Sequence, residues 1–318
     1  MIFANPAKLS KRGVLGMNMR NLDFVLAYNP RHLFPQVDNK LITKRLAEKA
    51  GIPVPKLYET IQFQHQIQLL PKLLENYEQF VVKPSKGSGG KGILVVLGKQ
   101  SGHFIKTNGS MVSQKDLNRH VSNIVSGLYS LGGHIDTAMI EYYVNFSPIF
   151  KDISYQGVPD IRVLVFQGYP TMAMLRLPTR TSDGKANLHQ GAVGVGIDIQ
   201  RGTTLRGVYR NNPIENHPDT GKSFKDIPIP GWHDLLILAS RCYEITGLGY
   251  MGIDIVLDSN HGPMILEMNA RPGLAIQVAN NSGLVPRLRK IEKMASKKLT
   301  IEQRVSFAEK NFSANFLK

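Results

Sequence analysis

Residues 250–273 read YMGIDIVLDSNHGPMILEMNARPG, and the rest of the 318-residue chain is best understood outward from this stretch. Two apolar runs, GIDIVL and PMILEMN, flank the polar sequence Ser259-Asn260-His261-Gly262. Apolar runs that are separated by Asn and Gly turn residues are typical of a β-hairpin. The stretch therefore predicts two short antiparallel strands joined by a tight turn.

Three oxygen-bearing side chains lie in this predicted hairpin: Asp254 on the first strand, and Glu267 and Asn269 on the second. Because strand side chains alternate between two faces, Glu267 and Asn269 point the same way, and pairing can bring Asp254 beside them. Two carboxylates and one amide oxygen suit a hard divalent cation, Mg²⁺ or Mn²⁺. Considered alone, the stretch is explained equally well by a hairpin with a solvated polar face.

The composition indicates a folded chain that is long enough for two or three modest domains, with 42% apolar residues. The single cysteine, Cys242, excludes an internal disulfide and a cysteine-rich zinc site, and its apolar neighbours favour a buried thiol. No apolar run approaches a membrane span, and the N-terminal sequence MIFANPAKLSKRG lacks the apolar block of a secretion signal. These features predict a soluble, cytoplasmic protein without a membrane span.

The chain is strongly basic, with 39 lysines and arginines against 24 acidic residues and a formal net charge of +15. Such a field attracts polyanions: nucleotides, nucleic acid, acidic peptides or anionic lipid headgroups. The sign of the charge does not choose among them. We interpret residues 1–37 as a partly ordered basic arm packed on the body, with part of a substrate cleft as the alternative. For residues 284–318 we predict a helix with a basic outer face. We interpret this face as exposed to solvent rather than as a binding surface.

Two lysines occupy positions that suit a phosphate partner. A helix is predicted to begin near Asp38 and to end at Gly51. Lys40 lies in its first turn, where the helix dipole disfavours a cation. A solvated lysine is the simpler explanation there. Lys83 ends the apolar strand at residues 80–82, and buried strands rarely carry a lysine without a partner.

A glycine-rich loop follows this strand. Residues 85–92, SKGSGGKG, contain four glycines, two lysines and two serines, and the next strand begins at Ile93. Glycines let backbone N–H groups approach phosphate oxygens, and lysines neutralise those oxygens. The loop is not a P-loop, because it lacks the Gly-Lys-Ser/Thr ending and does not open a helix. A flexible hairpin tip is the alternative.

Later segments add weaker indications. Residues 138–145, AMIEYYVN, predict a strand and a bend whose edge could offer backbone groups to a purine, although a plain strand also explains them. A second hairpin is predicted over 160–180, and a polar loop over 181–198. His189 in that loop is better explained by a local hydrogen bond than by catalysis. Further helices are predicted over residues 64–78, 114–131 and 233–247.

The order of these motifs is more distinctive than any one of them. Asp-Asn-Lys and Gly-Ile-Pro-Val-Pro are followed by Val-Val-Lys-Pro, Glu-Tyr-Tyr-Val, Asp-Ile-Arg, Asn-Leu-His-Gln-Gly and Leu-Glu-Met-Asn-Ala-Arg-Pro-Gly. This series resembles the ATP-grasp superfamily over about 38–283, and the chain is most similar to the ribosomal-protein glutamate ligases and alpha-L-glutamate ligase-like proteins. The resemblance implies an α+β ATP-grasp fold, in which two α/β subdomains clamp ATP between antiparallel sheets. Its implied parts are an N-terminal segment 1–75, a central subdomain 76–147 and a C-terminal subdomain 148–318.

The resemblance also implies roles for individual residues. Two magnesium or manganese ions are held by Asp254, Glu267 and Asn269, with Glu267 as their bridge. Arg271 and Arg162 are the implied catalytic residues, which face the reacting group and the phosphate. Candidate substrate contacts are Arg180 and His189. The implied ATP-binding residues are Lys40, Lys83, Lys86, Gly87, Ser88, Gly89, Gly90, Glu141, Tyr142, Tyr143, Val144, Asp160, Lys185 and Asn187.

The implied activity is ATP-dependent joining of a carboxylate to an amine through an acyl phosphate, with glutamate or a similar amino acid added to an acceptor. The implied partners are ATP and an amino acid or acidic peptide; nucleic acid is not favoured, and a homo-oligomer stays open. Two departures bear on this: only about forty residues precede Lys40, and Arg271 stands where close glutamate ligases often have serine. The alternative is a catalytically silent nucleotide-binding protein that binds nucleic acid or anionic surfaces.

Overall fold

The structure is a computed structural model that describes residues 5–87, 89–294 and 297–314. Within it the chain divides into two compact units. We call residues 38–45 and 54–145 the central unit, and residues 1–37, 46–53 and 146–318 the flanking unit. The predicted N-terminal segment 1–75 is therefore distributed over both units.

The central unit contains a six-stranded antiparallel sheet with the order β1-β6-β2-β3-β4-β5. Its interior strand β2 includes the apolar run 80–82 that the sequence predicts as a strand, and its interior strand β6 begins the strand predicted over 138–145. The register places Lys83 opposite Met139 and Val81 opposite Glu141. The strands are β1 Leu57–Ile61, β2 Phe80–Pro84, β3 Leu94–Gln100, β4 His103–Lys106, β5 Met111–Val112 and β6 Ala138–Glu141.

Helices cover the apolar residues of this sheet. The helix Gln114–Val125 is capped by the Ser113 side chain, which accepts from the Asp116 N–H, and it buries Leu117, Val121 and Ile124 in one cluster with the sheet. The helix predicted over 64–78 is shorter and consists of two short helices that end at Leu73, with Pro71 in the first turn of the second. The shorter elements are the 3₁₀ helices Gln64–Leu69 and Leu131–Gly133 and the α-helix Leu70–Leu73.

One helix is shared by the two units. It runs from Lys40 to Lys49, and its last residues and the following Gly51 belong to the flanking unit. The Asn39 side chain accepts from the Leu41 N–H at 3.0 Å, which confirms a cap at the predicted helix start. Gly51 has a φ of +64°, as its place at the helix end requires.

The flanking unit contains a seven-stranded antiparallel sheet with the order β11-β10-β9-β8-β7-β12-β13. The hairpin at 250–273 is confirmed as β12 and β13, at one edge of this sheet. The second hairpin, for which the sequence predicts a turn at Gly168-Tyr169-Pro170, is confirmed as β7 and β8, with its turn at Gln167-Gly168. The strands are β7 Asp160–Phe166, β8 Tyr169–Leu177, β9 Val193–Ile197, β10 Thr204–Tyr209, β11 Asn212–Ile214, β12 Tyr250–Asp258 and β13 Gly262–Asn269.

The prediction of a loop over residues 181–198 is wrong in its second half, because residues 193–197 form the interior strand β9. The sequence VGVGI reads as a loop because of its glycines, yet those glycines permit close packing. A Cβ on Gly196 would come within 2.7 Å of the Ala279 carbonyl oxygen. The helix Ala275–Ala279 can therefore contact this face of the sheet.

The helix predicted over 233–247 is confirmed as Trp232–Thr246, which contacts β7, β8 and β12 and ends at Gly247 with a φ of +66°. The predicted C-terminal helix is two helices, Val285–Glu292 and Ile301–Asn311. The predicted basic outer face is wrong for Arg287, which is buried; Arg304 in the second helix is buried as well. Arg287 donates to the Thr171 carbonyl at 2.7 Å, so this guanidinium ties the helix to β8.

The first described residues form helical turns that pack on the flanking sheet, which agrees with the predicted arm on the body. Phe24 and Tyr28 make edge-to-face contacts with Phe166 of β7, with ring centroids 5.6 and 4.9 Å apart. No helix of the described residues is long and apolar enough to cross a membrane. The helical bounds are Pro6–Lys11, Met17–Met19, a π-helix Arg20–Leu26, Arg31–Leu33, Pro35–Asp38, and later Pro148–Ile153 and Leu188–Gln190.

Candidate active site

Charged side chains form a row across four strands of the flanking sheet. Asp254 on β12 lies opposite Glu267 on β13 and, on its other side, opposite Arg162 on β7. Asn269 pairs with Gly252, two residues before Asp254. Because directly paired residues share a face, all four polar side chains project from the same face of the sheet.

Two arginines bind the buried carboxylates of this row. Arg162 donates through Nε and Nη2 to the two oxygens of Asp254, each at 2.6 Å. Arg176 on β8 donates through Nη2 to Asp254 at 2.6 Å and forms a two-pronged pair with Asp160. Burial acts to raise the pKa of Asp254, but the two guanidinium groups outweigh it and lower that pKa. The carboxylate of Asp254 is therefore held ionised between two fixed cations.

Asp160, at the start of β7 and opposite Arg176, has a different electrostatic environment. Burial acts to raise the pKa of Asp160; Arg176 opposes that effect and the nearby Asp254 carboxylate adds to it, so that the pKa rises to about 6. The implied nucleotide contact Asp160 is thus already paired with Arg176. The resemblance assigned no role to Arg176, although an arginine inside the apolar run TMAMLRL is a visible signal.

The oxygen donors of the hairpin fit a divalent cation in part. The Asn269 Nδ2 atom is buried without a hydrogen-bond partner. Exchanging the amide O and N would put an oxygen there, which a cation can use as a ligand. Glu267 projects from the same face, whereas both oxygens of Asp254 are held by arginines. The described residues contain no group of three or more His, Cys, Asp or Glu arranged to hold a metal.

The N-terminal residues hold the open end of this hairpin. The Asn29 side chain accepts from the Tyr250 N–H at 2.8 Å and donates to the carbonyls of Tyr250 and Ala270 at 2.8 and 2.9 Å. It thereby joins the start of β12 to the residue after Asn269. Arg20 donates to the Pro272 carbonyl at 3.1 Å.

The implied catalytic residue Arg271 is exposed and lies over the ring of Phe34, 5.0 Å from its centroid. Phe34 also comes from the N-terminal residues. These contacts favour the alternative in which the N-terminal arm contributes to the site, because the arm positions the residues next to the candidate metal ligands.

A cavity of about 410 Å³ lies on the flanking unit, beside the loop before β9. One of its walls, Val208, shares a cross-strand row with Gly194 and Arg176, so the cavity opens on the same sheet face as the charged row. The described residues that line it include no aspartate or glutamate. Lining residues include Thr181, Leu188, His189, Arg210, Asn211 and Val278.

The other candidate site residues of this loop, Arg180, Lys185 and Asn187, are close in sequence to residues that line the cavity but do not line it themselves. Arg180 stacks on Tyr155, with 5.4 Å to the ring centroid, and its N–H donates to Asp219. Lys185 is 3.8 Å from Asp183 at the surface. The Asn187 side chain accepts from the His189 N–H at 3.0 Å and so fixes the turn that carries His189. Of the two candidate substrate contacts, His189 lines the cavity.

In the central unit, Lys83 is buried against Glu141 rather than exposed. Glu141 is 2% exposed and forms ion pairs with Lys83 and with Lys44, the latter at 2.9 Å. Burial acts to raise the pKa of Glu141, but the two ammonium groups outweigh it and lower that pKa. Lys44 also donates to the Pro55 carbonyl. The group therefore carries two cations for one carboxylate, an excess that suits a phosphate.

The backbone edge predicted to contact a purine at residues 141–144 begins later in the structure than predicted. Glu141 is paired on both sides, with Leu57 of β1 and Val81 of β2. The Tyr142 N–H donates to the Lys56 carbonyl at 2.9 Å. Because β6 is an interior strand, an edge for a base begins no earlier than Tyr143, which is half-buried, followed by the buried Val144.

The glycine-rich loop is anchored at its base. Asp136 is buried and accepts from the hydroxyls of Ser85 and Ser130, both at 2.5 Å, and from the Lys86 N–H at 3.0 Å. Lys40 donates through Nζ to the Gly87 carbonyl at 2.7 Å. The Lys86 side chain reaches the Ile135 carbonyl at 3.1 Å.

The tip of this loop has the backbone that its glycines suggest. Gly89 and Gly90 have φ values of +62° and +74°, which glycine adopts without strain. Ser88 lies outside the described residues. An anchored base below a glycine tip is the arrangement expected of a cover over phosphates.

We expect Glu141→Gln to destabilise the protein, because it leaves two buried ammonium groups without their carboxylate. Removing one partner of a buried ion pair typically costs about 3–5 kcal/mol. The measurement is the midpoint of urea unfolding, with Glu59→Gln on β1, which is only half-buried, as the control. Since the pKa of Glu141 is lowered in the fold, its contribution is present above the ordinary carboxyl range and is lost as pH falls through the lowered value. Equal midpoints for Glu141→Gln and the parent at pH 7 would contradict the ion-pair assignment.

A family model described as sugar-transfer associated ATP-grasp matches residues 19–293 of the chain. Among curated proteins, a probable alpha-L-glutamate ligase of Maridesulfovibrio salexigens is 24% identical over 238 residues, which is 74% of this chain and 56% of that protein. A probable alpha-L-glutamate ligase of Pseudomonas putida has the same identity and coverage. The chain thus spans about half the length of the curated relatives that it matches.

Two solved structures that match this chain have low sequence identity to it. D-cycloserine synthetase DcsG covers 93% of this chain and 82% of its own, at 15% identity and a TM-score of 0.46. The ATP-grasp ligase PsnB, complexed with minimal precursor, Mg and ADP, covers 85% of this chain and 62% of its own, at 14% identity and a TM-score of 0.46.

Proposed function

The chain belongs to the sugar-transfer associated ATP-grasp family, with the α+β fold that its motifs imply, and on this premise we propose that it is an ATP-dependent carboxylate–amine ligase. The observation that carries the proposal is the strand register that lines up Arg162, Asp254 and Glu267 on one sheet face. A ligase needs fixed positive charge and oxygen donors at the phosphates of ATP, and this row supplies both.

The reaction has two steps. The γ-phosphoryl group of ATP passes to a carboxylate oxygen, so that a new P–O bond forms while the β,γ-bridging P–O bond breaks and ADP leaves. The amine nitrogen then attacks the acyl carbon, forming the C–N bond, and the carboxylate oxygen leaves as part of inorganic phosphate. The amine proton passes to solvent. Both steps depend on positioning and on neutralising charge at the phosphoryl group.

We assign the charge neutralisation to residues of the motifs that carry the family resemblance. Lys40 and Lys83 would contact the phosphates, below a cover formed by residues 85–92. Glu267 and Asn269 would hold Mg²⁺ with Asp254 as a further ligand, and bound Mg²⁺ would neutralise charge on the β- and γ-phosphates. Arg162 would orient Asp254, as its two-pronged bond already does.

Arg271 is proposed to bind the reacting carboxylate. Its side chain is exposed and its guanidinium lies over the ring of Phe34, a contact that orients the side chain. A guanidinium can bind a carboxylate with two parallel hydrogen bonds and can stabilise the oxyanion when the amine attacks.

The cavity beside β9 is proposed to receive the acidic substrate. Its described walls carry His189 and Arg210 and no acidic side chain, which favours a carboxylate such as that of glutamate or an acidic peptide. The curated relatives are named probable alpha-L-glutamate ligases, which supports an amino-acid substrate. The cavity lies on the same sheet face as Arg162 and Asp254.

The proposal is tested by ADP release. Purified protein is incubated with ATP, Mg²⁺ and pooled L-amino acids, and the products are identified by mass spectrometry. We expect ADP only when a carboxylate and an amine are both present, together with a product whose mass equals their sum less one water. Release of ADP without any new product would contradict the ligase assignment.

Arg210→Ala should raise the KM for the acidic substrate while leaving the KM for ATP unchanged. A hydrogen bond to a charged group contributes about 1.5–3 kcal/mol, so we expect a rise of roughly 10- to 100-fold. Arg206→Ala is the matched control, because Arg206 is exposed on β10, the strand that ends just before Arg210, and does not line the cavity. Equal KM values for Arg210→Ala and Arg206→Ala would exclude the cavity as the acid site.

A further inference from the structure

The N-terminal residues of the flanking unit expose an unusual number of large apolar side chains. Met17 is 65% exposed, and Leu22 and Leu26, one helical turn apart, are 62% and 61% exposed. Leu9 and Met19 are each 40% exposed. The buried side of the same helical stretch is formed by Phe24 and Val25. The stretch is thus apolar on its outer side as well as on its packed side, which usually marks a contact surface.

This apolar stretch is surrounded by positive charge. Residues 5–37 contain five basic residues and a single acidic residue, Asp23, which is bound by Arg289 at 2.7 Å. Lys8, Lys11 and Arg12 are exposed beside Leu9 in the chain. No glutamate or second aspartate opposes them in that range.

The basic helix Val285–Glu292 runs along the same N-terminal residues. Its first residue donates from the backbone N–H to the Gly13 carbonyl at 3.0 Å. Near its end, Arg289 lies over the Phe24 ring, 5.1 Å from the centroid, and Tyr28 donates to Glu292 at 2.8 Å. Arg289 and the following Lys293 are exposed. Arg289, which also donates to Glu292 at 2.8 Å, therefore lies next to the helical stretch that carries Leu22 and Leu26. From this packing we take the N-terminal helical turns and the basic helix as one surface.

We propose that this surface docks on an anionic phospholipid bilayer. We call it the docking face and define it by Leu9, Met17, Met19, Leu22 and Leu26 with Lys8, Lys11, Arg12, Arg289 and Lys293. Exposed leucines enter the boundary between headgroups and acyl chains, while lysines and arginines meet the anionic headgroups. The proposed contact is with the surface of the bilayer.

The combination of groups favours a bilayer over other polyanions. Nucleic acid would use the cations, but aliphatic side chains such as Leu22 and Leu26 make no contact with a phosphate backbone. A second copy of the chain would bring its own cations against these cations, and like charges that face each other oppose docking. A bilayer uses both kinds of group at once.

The test is co-sedimentation of the full chain with vesicles. We expect binding to vesicles of phosphatidylcholine and phosphatidylglycerol in equal parts, none to pure phosphatidylcholine, and weaker binding as salt is raised. The Lys8→Gln, Lys11→Gln double variant should lose affinity on the order of twentyfold, since each lysine near an anionic surface contributes about fivefold. The Leu22→Gln, Leu26→Gln variant should lose at least about tenfold.

Matched control variants test whether vesicle binding depends on the docking face rather than on the overall charge or hydrophobicity of the protein. Lys222→Gln with Lys225→Gln removes two exposed lysines elsewhere in the flanking unit, and Leu69→Gln with Leu128→Gln removes two exposed leucines of the central unit. Both controls should bind vesicles as the parent does. ADP release in solution by the Leu22→Gln, Leu26→Gln variant should equal that of the parent, so failure of docking and failure of the ligase assignment are distinguishable.

Three outcomes would overturn the proposal. The first is absence of binding to the anionic vesicles. The second is vesicle binding that the Leu22→Gln, Leu26→Gln variant retains in full. The third is concentration-dependent dimerisation in ultracentrifugation that the same variant abolishes, which would assign the surface to a second copy of the chain.

Discussion

We expect Glu267→Gln to reduce ligation by a factor on the order of 10²–10³ or more, because an essential electrostatic contact typically contributes that much to the rate. Glu267 is the proposed ligand that lies directly across the strands from Asp254. The amide of glutamine keeps the shape of the side chain and removes its charge. The measurement is single-turnover formation of product at saturating ATP and Mg²⁺.

The controls for Glu267→Gln address fold and charge. Glu215→Gln removes an exposed carboxylate of the same unit and should ligate at the parental rate. The unfolding midpoint of Glu267→Gln should stay close to that of the parent, because the side chain is only half-buried. Parental turnover by Glu267→Gln would show that the hairpin carries no metal for catalysis.

The second large effect is expected at Lys83, with Lys44 as its matched control. Both lysines pair with Glu141, and both are buried. Replacing either one by methionine removes one of the two cations on that carboxylate, so both variants should lose comparable stability. Of these two lysines, only Lys83 is proposed to contact the phosphates of ATP.

We therefore expect Lys83→Met to lower kcat/KM for ATP on the order of 10²–10³, and Lys44→Met to stay within about tenfold of the parent. The measurement is initial ADP release against ATP concentration, at a temperature where both variants are folded. Equal losses in the two variants would mean that Lys83 has a structural role only, as the partner of Glu141.

Much of the fold follows from local sequence chemistry. The Asn/Gly turn between GIDIVL and PMILEMN predicted the β12–β13 hairpin, and strand alternation put Glu267 and Asn269 on one face. The same reasoning predicted the hairpin of β7 and β8. It failed at β9, where glycines that permit contact with the helix Ala275–Ala279 resembled loop glycines.

The partners of the charged residues could not be predicted, because they come from distant parts of the chain. Glu141 meets Lys44, which lies 97 positions earlier, and Asp254 meets Arg176, which lies 78 positions earlier. Asp136 holds the glycine-rich loop from 50 positions away. Each pairing depends on strand order, and strand order is set by the packing of the whole sheet rather than by local pattern.

The most direct test of the ligase account follows oxygen from the carboxylate to phosphate. L-Glutamate, or whichever acid supports ADP release from the amino-acid pool, is labelled with ¹⁸O in its carboxylates and turned over with ATP and the amine. The account predicts one labelled oxygen in each inorganic phosphate released, with ADP as the only nucleotide product. Unlabelled phosphate, or label in AMP, would contradict transfer of the γ-phosphoryl group to the acid and with it the proposed function.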